Sequence, residues 1–237
     1  MTIKHHIPDA LMLEYASGRM AEPFALVVAA HVSLCDECRA RLTAHEVAGG
    51  AVMEAHEGSE LSGGLRDNVM SMLDDFVEDT PVYERSSIFP APVMEALKGR
   101  PPTWKPLGRG VRQSILSHGK SGSARLLYIP PGLDMPDHSH GGLELTLVLQ
   151  GAFSDEGGRF GVGDVEVADD DVEHKPVAAK GEACICLAAT DAALKINAFI
   201  PQPFSPTLHT QSFLPTLIPH RCRPPTNTYR RTHLLTP

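Results

Sequence analysis

Residues 132–151 read GLDMPDHSHGGLELTLVLQG, and the placing of two histidines, one glutamate and the bounding glycines in that stretch decides the fold of the C-terminal half. Alternate residues of a strand share a face, so a strand through this stretch points His138 and His140 to one side. Glu144 lies an even number of positions further on. It joins the pair if the strand stays regular or recovers its phase after Gly141-Gly142. Gly151 then allows the turn into a following strand.

Gly132, His138-x-His140, Glu144 and Gly151 together are similar to the first sequence motif of the cupins, at every defined position. The second cupin motif is met in part. Gly163 and His174 stand at its spacing, while Asp169, Asp171 and Ala178 replace its Pro, Gly and Asn. The resemblance implies a cupin barrel, that is a double-stranded β-helix or jelly roll, with His138, His140, Glu144 and His174 as metal ligands. Three imidazoles and one carboxylate suit Zn, Fe, Mn or Ni. The surrounding pattern agrees: short apolar stretches at 124–129, 143–149, 162–167, 183–187 and 194–200 are separated by Gly, Pro and Asp, which predicts an antiparallel sandwich or barrel. Cys184 and Cys186 share one face of a strand, directed either to the interior or to the opposite surface. They read as small buried hydrophobes or as a redox-responsive pair.

Working outward, the N-terminal part is helical in pattern. Leu11 and Tyr15, then Phe24, Val27 and Val28 after a break at Gly18, recur at helical spacing from Asp9 to about His45. Residues 49–64, rich in Gly and Ser, read as a loop. Leu65, Val69, Met72, Leu73 and Phe76 mark a further amphipathic helix. Within the first helical region, His31, Cys35 and Cys38 fall at i, i+4 and i+7, on one helix face. A tetrahedral Zn²⁺ would need one more ligand. His5 and His6 are the nearest candidates, of which His6 stands closer to the helix start.

The stretches HHIPDALMLEYASGRM (5–20) and LVVAAHVSLCDECR (26–39) resemble the ChrR family of zinc-binding anti-sigma factors. That resemblance implies a multi-domain α + β protein: a helical anti-sigma domain followed by the cupin barrel. It implies His6, His31, Cys35 and Cys38 as the zinc ligands, and with the cupin site two zinc ions per chain. It also implies an extracytoplasmic-function (ECF) sigma factor of the sigma-E type as partner, released in response to singlet oxygen through the cupin domain. The alternative from another class is a dioxygenase-like cupin metalloenzyme acting on a small molecule; the attached zinc module, which has no catalytic logic, favours a regulator over an enzyme.

Composition sets the remaining bounds. An apolar share of 42% with 21% charged residues is ordinary for a globular chain. Net charge is −8, and residues 201–237 carry four arginines and no acid, so the first 200 residues carry −12. An acidic body repels phosphates and argues against direct DNA binding. No apolar run is long enough to span a membrane, and no leader pattern opens the chain, so the expected location is cytoplasmic. Five cysteines in the groups 35/38, 184/186 and 222 form no disulfide framework. The expected organisation is residues 1–80 helical, 81–106 a Pro-rich linker whose Ile88, Phe89 and Val93 pack on a neighbour, 107–200 barrel, and 201–237 a Pro-rich, disordered tail.

Overall fold

A computed structural model describes residues 2–73, 81–135, 138–139, 142–169, 173–191 and 195–196, the backbone alone at 138, 139, 173, 174, 195 and 196. An extended segment, residues 2–8, leads into α1 (Asp9–Ala16), α2 (Glu22–Val32), α3 (Asp36–Glu54), α4 (Leu65–Met72) and α5 (Ala91–Ala96). The strands follow: β1 (Lys105–Gly108), β2 (Val111–Gly119), β3 (Gly122–Ile129), β4 (His138–Ser139), β5 (Glu144–Gln150) and β6 (Ala152–Asp155). β7 (Gly158–Gly161), β8 (Val165–Ala168), β9 (Glu173–His174), β10 (Val177–Ala178), β11 (Cys184–Thr190) and β12 (Lys195–Ile196) complete them.

The main sheet has the order β1-β2-β3-β11-β5-β8, and two three-stranded sheets, β10-β6-β7 and β12-β4-β9, lie beside it. Every described pairing is antiparallel. Gly151 makes the turn from β5 into β6 at φ +70°, where a Cβ would meet the Ala183 carbonyl at 2.8 Å, so only glycine fits.

The main sheet is covered on both faces. Leu145, Leu147 and Leu187 on one face share a core with Ile7, Met12, Phe24, Val27 and Val28 of the helical part. Val148, Cys184 and Cys186 on the other face pack with Ile129, Phe153 and Phe160 inside the barrel. The two thiols therefore face the interior, with Sγ atoms 3.5 Å apart. α2 lies across β3, β5 and β11 and also meets α5. Its buried Phe24, Val27, Val28 and His31 follow the i, i+3, i+4, i+7 stripe of a helix with one covered face. Within the Pro-rich segment 81–106, α5 buries Val93, and Ile88 and Phe89 pack on the same core.

Two expectations change. The loop expected from Gly49 begins later, because α3 runs through Gly49 and Gly50 to Glu54. Each glycine costs about 1 kcal/mol relative to alanine in a helix, and the hydrogen-bonded ladder begun in the packed first turns carries through them. The stripe on α4 forms a helix as expected, yet it covers no core: none of its residues is buried, and Val69 is 49% exposed. Phe76 and the tail 201–237 lie outside the described residues.

Candidate metal centre

Three pieces of chain meet at one end of α2. The extended segment brings His6, the last turn of α2 brings His31, and the start of α3 brings Cys35 and Cys38. Cys35 is the N-cap of α3, where its thiol accepts the Cys38 backbone N–H at 3.4 Å. The tight turn between the helices is closed by the Cys35 N–H donating to the His31 carbonyl at 2.8 Å. A four-residue spacing thus spans two helices rather than one, and the three side chains still converge.

One donor atom from each of the four residues lies within 4.8 Å of all the others. His6 Nδ1 is 3.3 Å from Cys35 Sγ and 3.6 Å from Cys38 Sγ. A tetrahedral zinc with bonds of about 2.0 to 2.3 Å has edges of about 3.3 to 3.8 Å, so these separations match its edges. The structure brings His6 to the thiols, whereas His5 packs against Phe160 with ring centroids 4.3 Å apart and planes tilted by 36°.

The protonation pattern also fits a metal. His31 Nδ1 lies 2.9 Å from the Gly163 carbonyl. A carbonyl only accepts, so Nδ1 carries the proton and Nε2 presents a lone pair to the cluster. That Nε2 is buried and has no hydrogen-bond partner, the state expected of a ligand atom awaiting a cation. Burial pushes the His31 pKa down to about 4, which keeps the ring neutral. His6 is arranged in the opposite sense: Nε2 sits 3.4 Å from the Glu37 carboxylate, leaving Nδ1 to face the thiols. Burial, with the Cys35 thiol beside it, pushes the Cys38 thiol up. The Arg41 guanidinium stands 3.8 Å from Cys38 Sγ and is itself paired with Asp9 of α1. Two thiolates side by side need a compensating cation, and this donor set fits zinc.

Glu37, Arg41 and Gly163 had no signal in the ligand motif. Glu37 lies inside the Cys-x-x-Cys spacing and could have been suspected as a partner for histidine. Gly163 stands 132 positions from His31 and could not.

The second expected site is described only in part. Glu144 opens β5, nearly buried, and Thr146 Oγ1 donates to its Oε1 at 3.0 Å. β4 and β9 pair so that His138 stands directly opposite His174. His140 lies outside the described residues. Glu144 projects from the interior face that also carries Cys184 and Cys186.

Fold and cluster define a class: a cupin-type barrel with a helical His/Cys module seated on its outer face. Residues 97–193 match the family model of the ChrR cupin-like domain. The chain is 52% identical over 210 residues to the anti-sigma-E factor ChrR of Cereibacter sphaeroides, covering 86% of this chain and 99% of that protein. It is likewise 52% identical to ChrR in the crystal structure of Rhodobacter sphaeroides SigE in complex with this anti-sigma factor. That match has a TM-score of 0.72 and covers 80% of this chain and all of that one. The chain belongs to the ChrR family of anti-sigma factors. Membership places it among regulators, and the dioxygenase-like alternative falls away.

Proposed function

We propose that this chain binds and silences an ECF sigma factor of the sigma-E type through its helical part, that zinc held by His6, His31, Cys35 and Cys38 keeps that part in its binding shape, and that the barrel governs release under singlet oxygen. The single observation carrying the reading is the match to an anti-sigma factor solved with its sigma factor, spanning that whole chain at 52% identity. The surface supports it. The second half of α3 exposes Val47, Val52 and Met53, and α4 exposes Leu65, Val69 and Met72. An apolar stripe left in solvent on helices marks a face for a partner.

In this reading a bound zinc supplies the charge that holds both thiols as thiolates. The chain's own residues then do the rest. His6 ties the extended segment to α3, His31 ties α2 to the same point, and Glu37 and the Gly163 carbonyl fix the two ring tautomers. His138, His140, Glu144 and His174 would hold a second ion in the barrel, giving two zinc per chain, with 1–80, 81–106, 107–200 and 201–237 as module, linker, barrel and tail. The partner is a protein rather than DNA or a membrane. Among the described residues no helix is long and apolar enough to cross a bilayer.

Co-purification with the sigma factor tests the reading. The wild-type chain should retain it through size exclusion, and Cys35→Ser should lose both one equivalent of zinc and the sigma factor. Tight binding by a zinc-free Cys35→Ser chain would overturn the zinc dependence. Loss of the oxidant response in His138→Ala or Glu144→Gln, with sigma binding intact, is expected if the barrel governs release.

A further inference from the structure

The barrel reaches into the helical site through one turn. From Gly161 at the end of β7 the chain passes through Gly163 and Asp164 into β8, and this turn holds both histidine-bearing segments. The Asp164 carboxylate accepts the backbone N–H of Lys4 at 2.6 Å and of His5 at 2.9 Å on one oxygen, and that of Gly161 at 2.8 Å on the other. The Val165 N–H donates to the His5 carbonyl at 3.2 Å. The neighbouring Gly163 carbonyl receives His31 Nδ1–H. The turn is in turn fixed to β5: the Gly163 N–H donates to the Val148 carbonyl at 2.8 Å, and the Val148 N–H donates to that of Asp164 at 3.1 Å. Gly163 adopts φ +90°, a conformation that aims its carbonyl where a side-chain-bearing residue would be strained.

We propose that Gly163 and Asp164 of the barrel belong to the outer shell of the helical metal site, and that Asp164 is a positioning residue setting how firmly that site holds its ion. This rests on the zinc reading above. Its physical basis is that His6 sits on a segment with no regular structure of its own. Residues 2–8 are held by the Asp164 carboxylate, by the Val165–His5 hydrogen bond and by the burial of Ile7 in the shared core. Asp164 itself is 4% exposed, a buried carboxylate whose hydrogen-bond donors among the described residues are all backbone N–H groups, two of them from that segment. Remove the carboxylate, and the segment carrying one ligand loses two of its anchors while the loop orienting a second ligand loses its brace. Partners of this kind typically change metal affinity by about 10- to 100-fold.

The test uses the full-length chain loaded with cobalt(II), whose thiolate-to-metal charge-transfer band reports on sulfur ligation. Cys35→Ser identifies the part of the band belonging to the helical site. Decay of that part after addition of excess chelator gives the rate of metal loss. Asp164→Ala is expected to lose cobalt about 10- to 100-fold faster than wild type, with the β-sheet circular dichroism retained. Asp164→Asn keeps an acceptor for Lys4 and His5 but turns an NH₂ toward the Gly161 N–H, and should fall between the two; it carries the comparison if the alanine variant does not fold. Ile129→Ala, which thins the barrel core behind the turn but leaves the Asp164 and Gly163 hydrogen bonds in place, should lower the melting temperature without hastening metal loss. Wild-type decay rates in both Asp164 variants, or equal acceleration in Ile129→Ala, would overturn the proposal. Absence of any Cys35-dependent band in the wild type would instead overturn the metal reading beneath it.

Discussion

His31 completes a helix stripe otherwise made of Phe24, Val27 and Val28, and it is as fully buried as they are. Burial lowers its pKa from 6.5 to about 4. In the metal-free chain the unfolded state therefore takes up a proton at this ring as pH falls through 6.5, and the folded state only near 4. The stability this group contributes is complete above pH 6.5 and is lost between 6.5 and 4, by roughly 3 kcal/mol. Urea unfolding of the apo chain between pH 7 and 5 should show that slope, and His31→Gln should flatten it. Inside the barrel, the hydrogen bond shared with Cys184, followed by burial, pushes the Cys186 thiol well up. Alkylation at neutral pH, followed by mass spectrometry, should accordingly reach Cys184 and Cys186 only after unfolding; rapid labelling of the native chain would contradict their interior placement. Three of the four clustered residues, His31, Cys35 and Cys38, were legible at this scale because metal chemistry restricts both residue type and spacing, while the spacing left His5 and His6 both open. Asp164 was not, since a carboxylate that accepts backbone N–H groups from residues 4 and 5 leaves no pattern in a chain that meets them only after folding.

β5 and β11 explain a feature of the sequence that alternation alone would misread. β11 is apolar up to its last residue, Thr190, and β5 is buried along nearly its whole length although it carries Glu144, Thr146 and Gln150; both are covered on the helix-facing and interior faces alike. A strand covered on one side alternates; a strand covered on both does not. Leu187 lies on the helix-facing side of β11, fully buried, so Leu187→Ala should cost about 2 to 5 kcal/mol, read from denaturant unfolding. α4 makes the opposite case. With no buried residue, Val69→Asp should change stability by no more than about 0.5 kcal/mol yet weaken sigma-factor binding by at least about tenfold if this face docks the partner. Unchanged affinity in a calorimetric titration would remove α4 from the interface. The helix at 65–72 was legible from its stripe, but the stripe does not say whether the chain itself or another protein covers it. The first strands were less visible: β2 runs from Val111 to Gly119 with a mixed burial pattern, because it lies near the sheet edge and its apolar residues are few.

At the scale of the whole chain, the helical part and the barrel share one hydrophobic cluster, from Ile7 and Val28 to Leu145 and Leu187. Helical and sheet signals of the native chain should therefore disappear in a single transition, and separate transitions by circular dichroism would mean that the shared core contributes little. The second half of α3 and α4, which expose their apolar residues, should exchange backbone amides well before α2 and β11. The sequence by itself determined the barrel and named the candidate ligands, because strand alternation and metal coordination are local rules written in spacing: His138-x-His140 with Glu144, and His31 with Cys35 and Cys38. Only the tertiary structure decided that His6 rather than His5 joins the cluster, that the paired cysteines face inward, and that the barrel's 161–165 turn holds the helical site. Those choices depend on contacts between residues far apart in the chain, 29 and 32 positions for His6 with Cys35 and Cys38, 132 for His31 with Gly163 and 160 for Lys4 with Asp164, and no local rule encodes which distant carbonyl or carboxylate will meet a given histidine.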